Sequence, residues 1–221
     1  DFDFCKTDIL NSQIVSNQDK IDLISIGEYL TSTILNTYLI ENNINPIRLG
    51  TDITISSSDS NTSDSFHNKG VFSVNESIFD EAFKNHDVVI IPGFSGYTPD
   101  RNICLLGRGG SDTTGSIIAA KLDAEIYQIW TDVNGIYTAD PRIISEANII
   151  SKIGYLGAQE IASMGAAVIH PYSILPCKDK NIPIEIKNTF SPYTKSTIIN
   201  GVTSDNNIYS ITQQKNVSIF K

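Results

Sequence analysis

Positive charge is scarce in this sequence. Lysine and arginine together number 16 against 25 aspartates and glutamates, which leaves 221 residues with a formal net charge of −9 and a pI near 4.7. No basic block offsets that acidity, which argues against nucleic acid or an anionic membrane as the main partner. An anionic substrate would have to be met by locally placed cations. Sulfur is sparse too: Cys5, Cys104 and Cys177 are odd in number and lack any C-x-x-C spacing, so they read as reduced thiols of a cytoplasmic protein. The histidines, His67, His86 and His170, are too scattered for metal-ligand spacing, and no protein metal site is expected. No apolar run reaches membrane-spanning length, and no signal-peptide pattern opens the chain. The Walker sequence G-x-x-x-x-G-K-[ST] and the protein-kinase signatures are missing as well.

What is present is enough apolar sequence, 40%, for one sizeable domain, and one stretch around which it is organised. Leu105 to Ala120 reads LLGRGGSDTTGSIIAA. Its glycines let backbone approach a ligand, Arg108 supplies a rigid fork of donors, and an amphipathic run begins after Ser111 and Asp112. This predicts an anion site at the opening of a helix, where unpaired N–H groups and a partial positive charge coincide. A plain glycine turn with Ser111 as a helix cap explains the stretch equally well when it is taken alone.

In chain order, the first twenty residues carry no clear period and open abruptly, as a fragment would. Ile21 to Ile26 (IDLISI) has the length of a strand, and Gly27 and Glu28 lead into a helical pattern with Leu30, Ile34, Tyr38, Leu35 and Leu39 on one face. Asn45 to Ile55 offers a second strand, and Ser56 to Gly70 a mobile surface loop. Phe79 to Asn85 ends a helix, and Val88 to Ile91 (VVII) reads as a fully buried strand aimed at Pro92, Gly93 and Phe94. Residues 126–130 (IYQIW) form another buried strand ending in Thr131 and Asp132, and Asn134-Gly135 marks a tight turn. A helical pattern follows from about Tyr155 to Ile169, then a strand from Ile182 to Ile186. This alternation predicts an α/β fold with a mostly parallel, doubly wound sheet and helices on both faces. Ligands of such sheets bind beyond the carboxyl ends of the strands. Ser25 to Glu28, Gly93 to Asp112 and Thr131 to Asp140 are the polar clusters expected there, lining one crevice. Ser191 to Asn207 looks like a linker.

Four segments then agree in order and spacing: LGRGGSD, IWTDVNGIYTADPR, MGAAVIHP and IPIEIKNTFSP. Together they resemble the aspartate kinases of the amino acid kinase superfamily, over roughly Ile21 to Asn200. They are most similar to archaeal-type enzymes and to the kinase part of bifunctional aspartokinase/homoserine dehydrogenases. The resemblance implies a cytoplasmic enzyme that transfers the γ-phosphoryl group of ATP to the β-carboxylate of L-aspartate, the first step towards lysine, threonine and methionine. It implies an amino acid kinase domain over residues 1–200, with 201–221 as a linker into regulatory ACT domains. A homodimer or higher homo-oligomer is also implied.

A carboxylate nucleophile is ionised at neutral pH, so catalysis must come from positioning and charge neutralisation. Arg108 suits the α-carboxylate of aspartate as a bidentate clamp, and Glu28 suits its ammonium. The resemblance gives them those roles, places Phe94, Gly109 and Ser111 around the amino acid, and has Asp112 orient catalytic lysine charge. For the nucleotide it points to Thr131, Asp132, Tyr137, Asp140 and Arg142. Tyr137 would lie against adenine, Asp140 would take a ribose hydroxyl or base donor, and Arg142 would meet phosphate. Mg²⁺ would be held largely by ATP and water. Two departures stand out. The family's opening KFGG strand has no counterpart, and Ala167 occupies a position where many relatives carry lysine. A catalytically inactive amino acid sensor, or a sister kinase acting on glutamate, acetylglutamate or UMP, are the alternative readings.

Overall fold

Ser16 opens the described part of the computed structural model, which covers residues 16–59, 71–165, 168–201 and 210–212. The chain divides into two units, one up to Ile117 and one from Ile118. Expectations for the first fifteen residues, for most of the 56–70 loop, for Ala167 and for most of the C-terminal run lie outside the described residues.

The first described element of the first unit is helix α1, Asn17–Glu41. The expected strand at IDLISI is therefore helical, and Ser25 to Glu28 sit inside a helix rather than at a strand end. A capping box decides it. The Ser16 hydroxyl accepts from the Asp19 N–H at 3.1 Å and the Ser16 N–H donates to the Asp19 carboxylate at 2.8 Å, so the helix starts before the apolar run is reached. Thr31, Ser32, Thr33 and Thr37 turn their hydroxyls back onto carbonyls three or four residues earlier, which accommodates them in a helix. Its buried residues are Ile21, Ser25 and Ser32, whereas Leu30, Ile34, Leu35 and Tyr38 are exposed. Asn43 at φ 58° closes the helix, with N–H bonds from Asn43 to Ile40 and from Ile44 to Leu39.

Strand β1, Pro46–Arg48, pairs in parallel with β4, Val88–Ile90. The single strand expected over Asn45 to Ile55 is divided by Gly50 and the short helix α2, Thr51–Thr54, before β2, Ile55–Ser57. A second sheet in this unit runs β3-β2-β5-β6, where β3 is Phe72–Val74, β5 Ser95–Tyr97 and β6 Ile103–Leu105. Helix α3, Glu76–Phe83, contributes Phe79 and Ala82 to the interior. Val88 and Val89 are only half-buried, so β4 is less enclosed than its apolar run suggested. Helix α4, Gly110–Lys121, follows the glycine stretch, as expected.

The second unit holds a sheet of order β7-β9-β10-β8. Strand β7, Tyr127–Thr131, runs parallel to β9, Ile184–Asn188, and β10, Thr197–Asn200, joins β9 antiparallel to β8, Lys152–Gly154, in parallel. Four of the seven named pairings in the described residues are parallel, which places the fold in the expected α/β class. β7 is not fully buried, because Trp130 is exposed while Ile129 faces the core. Helix α5 is Tyr155–Ser163, shorter than the expected run to Ile169, because Gly165 at φ 100° ends it and Pro171 starts α6, Pro171–Asp179. The expected linker over 191–207 contains β10, whose Thr197 and Ile199 are fully buried. Ile129, Ile153, Ala158, Ile174, Cys177, Ile184, Ile186 and Ile199 form the core of this unit.

Candidate functional site

In the first unit, the chain leaves β4 through Pro92 and Gly93 into a tight reversal at Phe94. The Ser95 N–H reaches the Gly93 carbonyl at 2.7 Å, and Phe94 lies at φ 68°, so Phe94 is the central residue of a γ-turn. A non-glycine residue rarely adopts this conformation, and its neighbours hold it there. The Phe94 N–H donates to the Thr114 hydroxyl at 3.2 Å, and its carbonyl accepts from Leu106 at 2.9 Å. Two glycines make room: a Cβ on Gly110 would come 2.8 Å from the Phe94 ring, and one on Gly93 would come 3.1 Å from the Ser111 Cα.

Gly107 and Gly109, at φ 90° and 68°, bend the backbone just ahead of α4. Ser111 sits in the first helical turn, and its hydroxyl donates to the Glu28 carboxylate at 2.8 Å. Glu28 comes from the middle of α1, so this contact draws together two residues expected around the amino acid. Arg108 is exposed, and its guanidinium has no hydrogen bond or ion pair among the described residues. Asp112 is half-buried in the same first turn, where its charge favours the helix N-terminus.

The second unit holds a cavity of about 460 Å³, lined by Asp132, Tyr137, Asp140 and Arg142 together with Gly135 and Val168. Thr131 is the one expected nucleotide residue outside this lining; its hydroxyl is bonded to the Asp132 carboxylate at 3.2 Å. Asp140 and Arg142 are not separate groups. The Arg142 Nε and Nη2 atoms donate to both oxygens of Asp140 at 3.0 and 2.8 Å, and its backbone N–H adds a third bond at 2.9 Å. Hydrogen bonds and charge from Asp140 hold the Arg142 guanidinium above its ordinary range, so it stays charged.

Sequence reasoning missed several neighbours. Asn134 accepts from Asn188 at 2.7 Å and Thr194 at 3.3 Å, and donates to the Tyr137 hydroxyl at 3.4 Å, which steadies that ring. Residues 210–212 also line the cavity, tied down by Ser210 to the Tyr137 carbonyl and Ile211 to the Thr138 carbonyl, both at 2.9 Å. Nothing in their sequence pointed to this, since residues 201–221 read as a linker into a regulatory region. Of the histidines within the described residues, His86 bonds Asn45 and His170 caps α6. No helix of the described residues is long and apolar enough to cross a membrane.

The chain is similar to known proteins along most of its length. The chain is 37% identical over 201 residues to the aspartokinase of Rickettsia felis, covering 88% of this chain and 48% of that one. It is 41% identical over 135 residues to the bifunctional aspartokinase/homoserine dehydrogenase of Haemophilus influenzae, covering 60% of this chain and 17% of that one. The chain thus spans about half or less of the curated relatives it matches. Among solved structures, E. coli aspartokinase III in complex with aspartate and ADP superposes with a TM-score of 0.75 at 27% identity, over 87% of this chain and 43% of that one. A profile of the amino acid kinase family matches residues 7–188, most of the chain, and this chain belongs to that family.

Proposed function

We propose that this chain is the kinase portion of an aspartokinase, transferring the γ-phosphoryl group of ATP to the β-carboxylate of L-aspartate to give 4-phospho-L-aspartate. The observation that carries the reading is the nucleotide-sized cavity lined by Asp132, Tyr137, Asp140 and Arg142. The likeness to aspartokinases over 88% of the chain supports it.

Arg108, with its fork unengaged, takes the α-carboxylate of aspartate. Glu28 takes the ammonium through the oxygen that Ser111 leaves open. The γ-turn presents Phe94 and the backbone around Gly109 to the amino acid. At the nucleotide, Tyr137 lies along the base, and Asp132 and Thr131 close the end of β7. Asp140 grips one edge of Arg142, which leaves the Nη1 group for a phosphate oxygen. Mg²⁺ arrives with ATP as part of the substrate, bound by phosphate oxygens and water. The attacking β-carboxylate is already ionised, so no side chain has to remove a proton. The described groups contribute by aligning donor and acceptor and by offsetting negative charge.

A hydroxylamine-trap assay tests this directly, with the purified protein, ATP, Mg²⁺ and either aspartate or glutamate. Aspartyl hydroxamate is the expected product. No product with aspartate despite measurable aspartate binding would replace the kinase by an amino acid sensor, and product from glutamate alone would move the chain to a sister activity.

A further inference from the structure

Arg48 closes β1, and two of its donors find no acceptor among the described residues. Its Nε and Nη2 atoms are buried and lack a hydrogen-bond partner among the described residues, while its guanidinium carbon lies 4.1 Å above the centre of the Tyr29 ring. Arginine stays protonated at any pH a folded protein meets, so this is a half-buried cation whose two buried donors are unmet among the described residues, a costly arrangement. Arg142 shows what that pair is shaped for, since there the same two atoms grip both oxygens of a carboxylate.

Arg48 lines a cavity of about 310 Å³ that lies wholly within the first unit. Thr51 and Ser95, both buried, line it too, and neither hydroxyl makes a hydrogen bond among the described residues. Asp52 is on the same wall, and no ion pair joins it to Arg48 or to another cation among the described residues. Tyr97 completes the lining; burial, with the charges of Asp52 and Asp22, holds its phenol above the ordinary range, so it remains an O–H donor. One cavity therefore carries an unpaired cation and an unpaired carboxylate that do not satisfy each other. A bare anion would meet Asp52 and a bare cation would meet Arg48, so a molecule bearing both charges fits best.

We propose that this cavity binds a small zwitterion, a free α-amino acid, with its carboxylate on the Nε–Nη2 edge of Arg48 and its ammonium towards Asp52. The hydroxyls of Thr51, Ser95 and Tyr97 supply the remaining hydrogen bonds. None of Glu28, Phe94, Arg108, Gly109, Ser111 or Asp112 lines this cavity, so the site is separate from the residues assigned to phosphoryl transfer and stands or falls without them. Tyr29 lies across the guanidinium and is itself 56% exposed, so its side chain has room to swing aside and admit the ligand.

The arginine Nε–H resonances in a ¹⁵N spectrum of the purified protein give the test. The Arg48 signal is identified by its loss in Arg48→Lys or, should that variant not fold, by the change in ring-current shift in Tyr29→Leu. Titration with glycine or alanine moves this signal saturably, and Asp52→Asn weakens the effect about tenfold, the worth of one charge-assisted hydrogen bond. Propionate, which has no ammonium, binds about tenfold more weakly than alanine. A signal that neither amino acid moves overturns the proposal. So does one that inorganic phosphate moves while the amino acids do not, which would make Arg48 an oxyanion site of different chemistry.

Discussion

Ser111 and Glu28 stand 83 residues apart in the chain and are joined by a hydrogen bond of 2.8 Å from the serine hydroxyl to the glutamate carboxylate. The bond fixes the middle of α1 against the first turn of α4, within the first unit. It also occupies one carboxylate oxygen and leaves the other for a cation. Substitution Glu28→Gln keeps the acceptor for Ser111 and removes the charge. The expected result is a rise of about tenfold or more in the KM for aspartate with the KM for ATP unchanged. An unaltered aspartate KM would leave Glu28 with only its bond to Ser111.

Arg108 differs from Arg142 in having no partner for its fork among the described residues. Arg108→Ala is expected to lower kcat/KM for aspartate by about a hundredfold or more, because two charge-assisted bonds are lost together. Arg108→Lys should recover only part of this, since an ammonium cannot bind both oxygens side by side. Full recovery with lysine would show that charge alone matters there.

Asp140→Ala acts on the other substrate. It removes a cavity wall and releases Arg142 from its two-bond grip, so the KM for ATP should rise about tenfold while that for aspartate stays put. Steady-state kinetics with each substrate varied in turn would expose the opposite pattern.

Thr197 tests stability rather than catalysis. Its hydroxyl accepts from the Ile136 N–H at 2.9 Å and donates to the Ile150 carbonyl at 2.7 Å, fully buried beside Gly135, where a Cβ would come within 2.3 Å of that oxygen. Thr197→Val preserves shape but strands both backbone groups, at a cost of about 2–4 kcal/mol. A urea midpoint close to that of the wild type would mean that water or backbone movement replaces both bonds.

Stability should fall at alkaline pH for a traceable reason. Burial pushes the Cys104 thiol from an ordinary 9.0 up to about 11, and the Tyr155 phenol from 10.0 up to about 12. Each is held neutral by the fold, so its contribution is fully present below the unfolded value and is lost as pH rises through the folded one. For Cys104 that window runs from pH 9 to about 11. Urea unfolding across it should show a steeper loss in the wild type than in Cys104→Ala; parallel curves would remove Cys104 from the explanation.

Much of the candidate site was legible because its signals are local. Gly107 and Gly109 adopt the positive φ that only glycine takes easily, and α4 begins where the glycines end. Asp132, Tyr137, Asp140 and Arg142 fall within eleven consecutive residues, so recognising one nearly places the others. The Glu28–Ser111 bond was out of reach, since no period in the sequence encodes a contact across 83 residues. The apolar run IDLISI fits a strand and a helix equally, and the deciding signal was polar and upstream, in Ser16 and Asp19. Helix α6 carries Pro171 and Pro176, a residue type that usually breaks helices, although the first stands at the one helical position that favours proline. Strand β10 has only four residues amid polar neighbours, too few for alternation to register.

The order β7-β9-β10-β8 also bears on how the chain is made. Strand β8, at one end of that order, leaves the ribosome before its sheet neighbour β10, which is translated more than forty residues later. At a usual elongation rate of roughly 5–20 residues per second, Ile153 and the edge around it wait some seconds for a partner. During that interval a nascent chain exposes a short apolar strand edge, the kind of surface that chaperones capture and that crowded expression turns into aggregates. Slower synthesis lengthens the wait, so expression conditions should govern how much of this protein is recovered in soluble form.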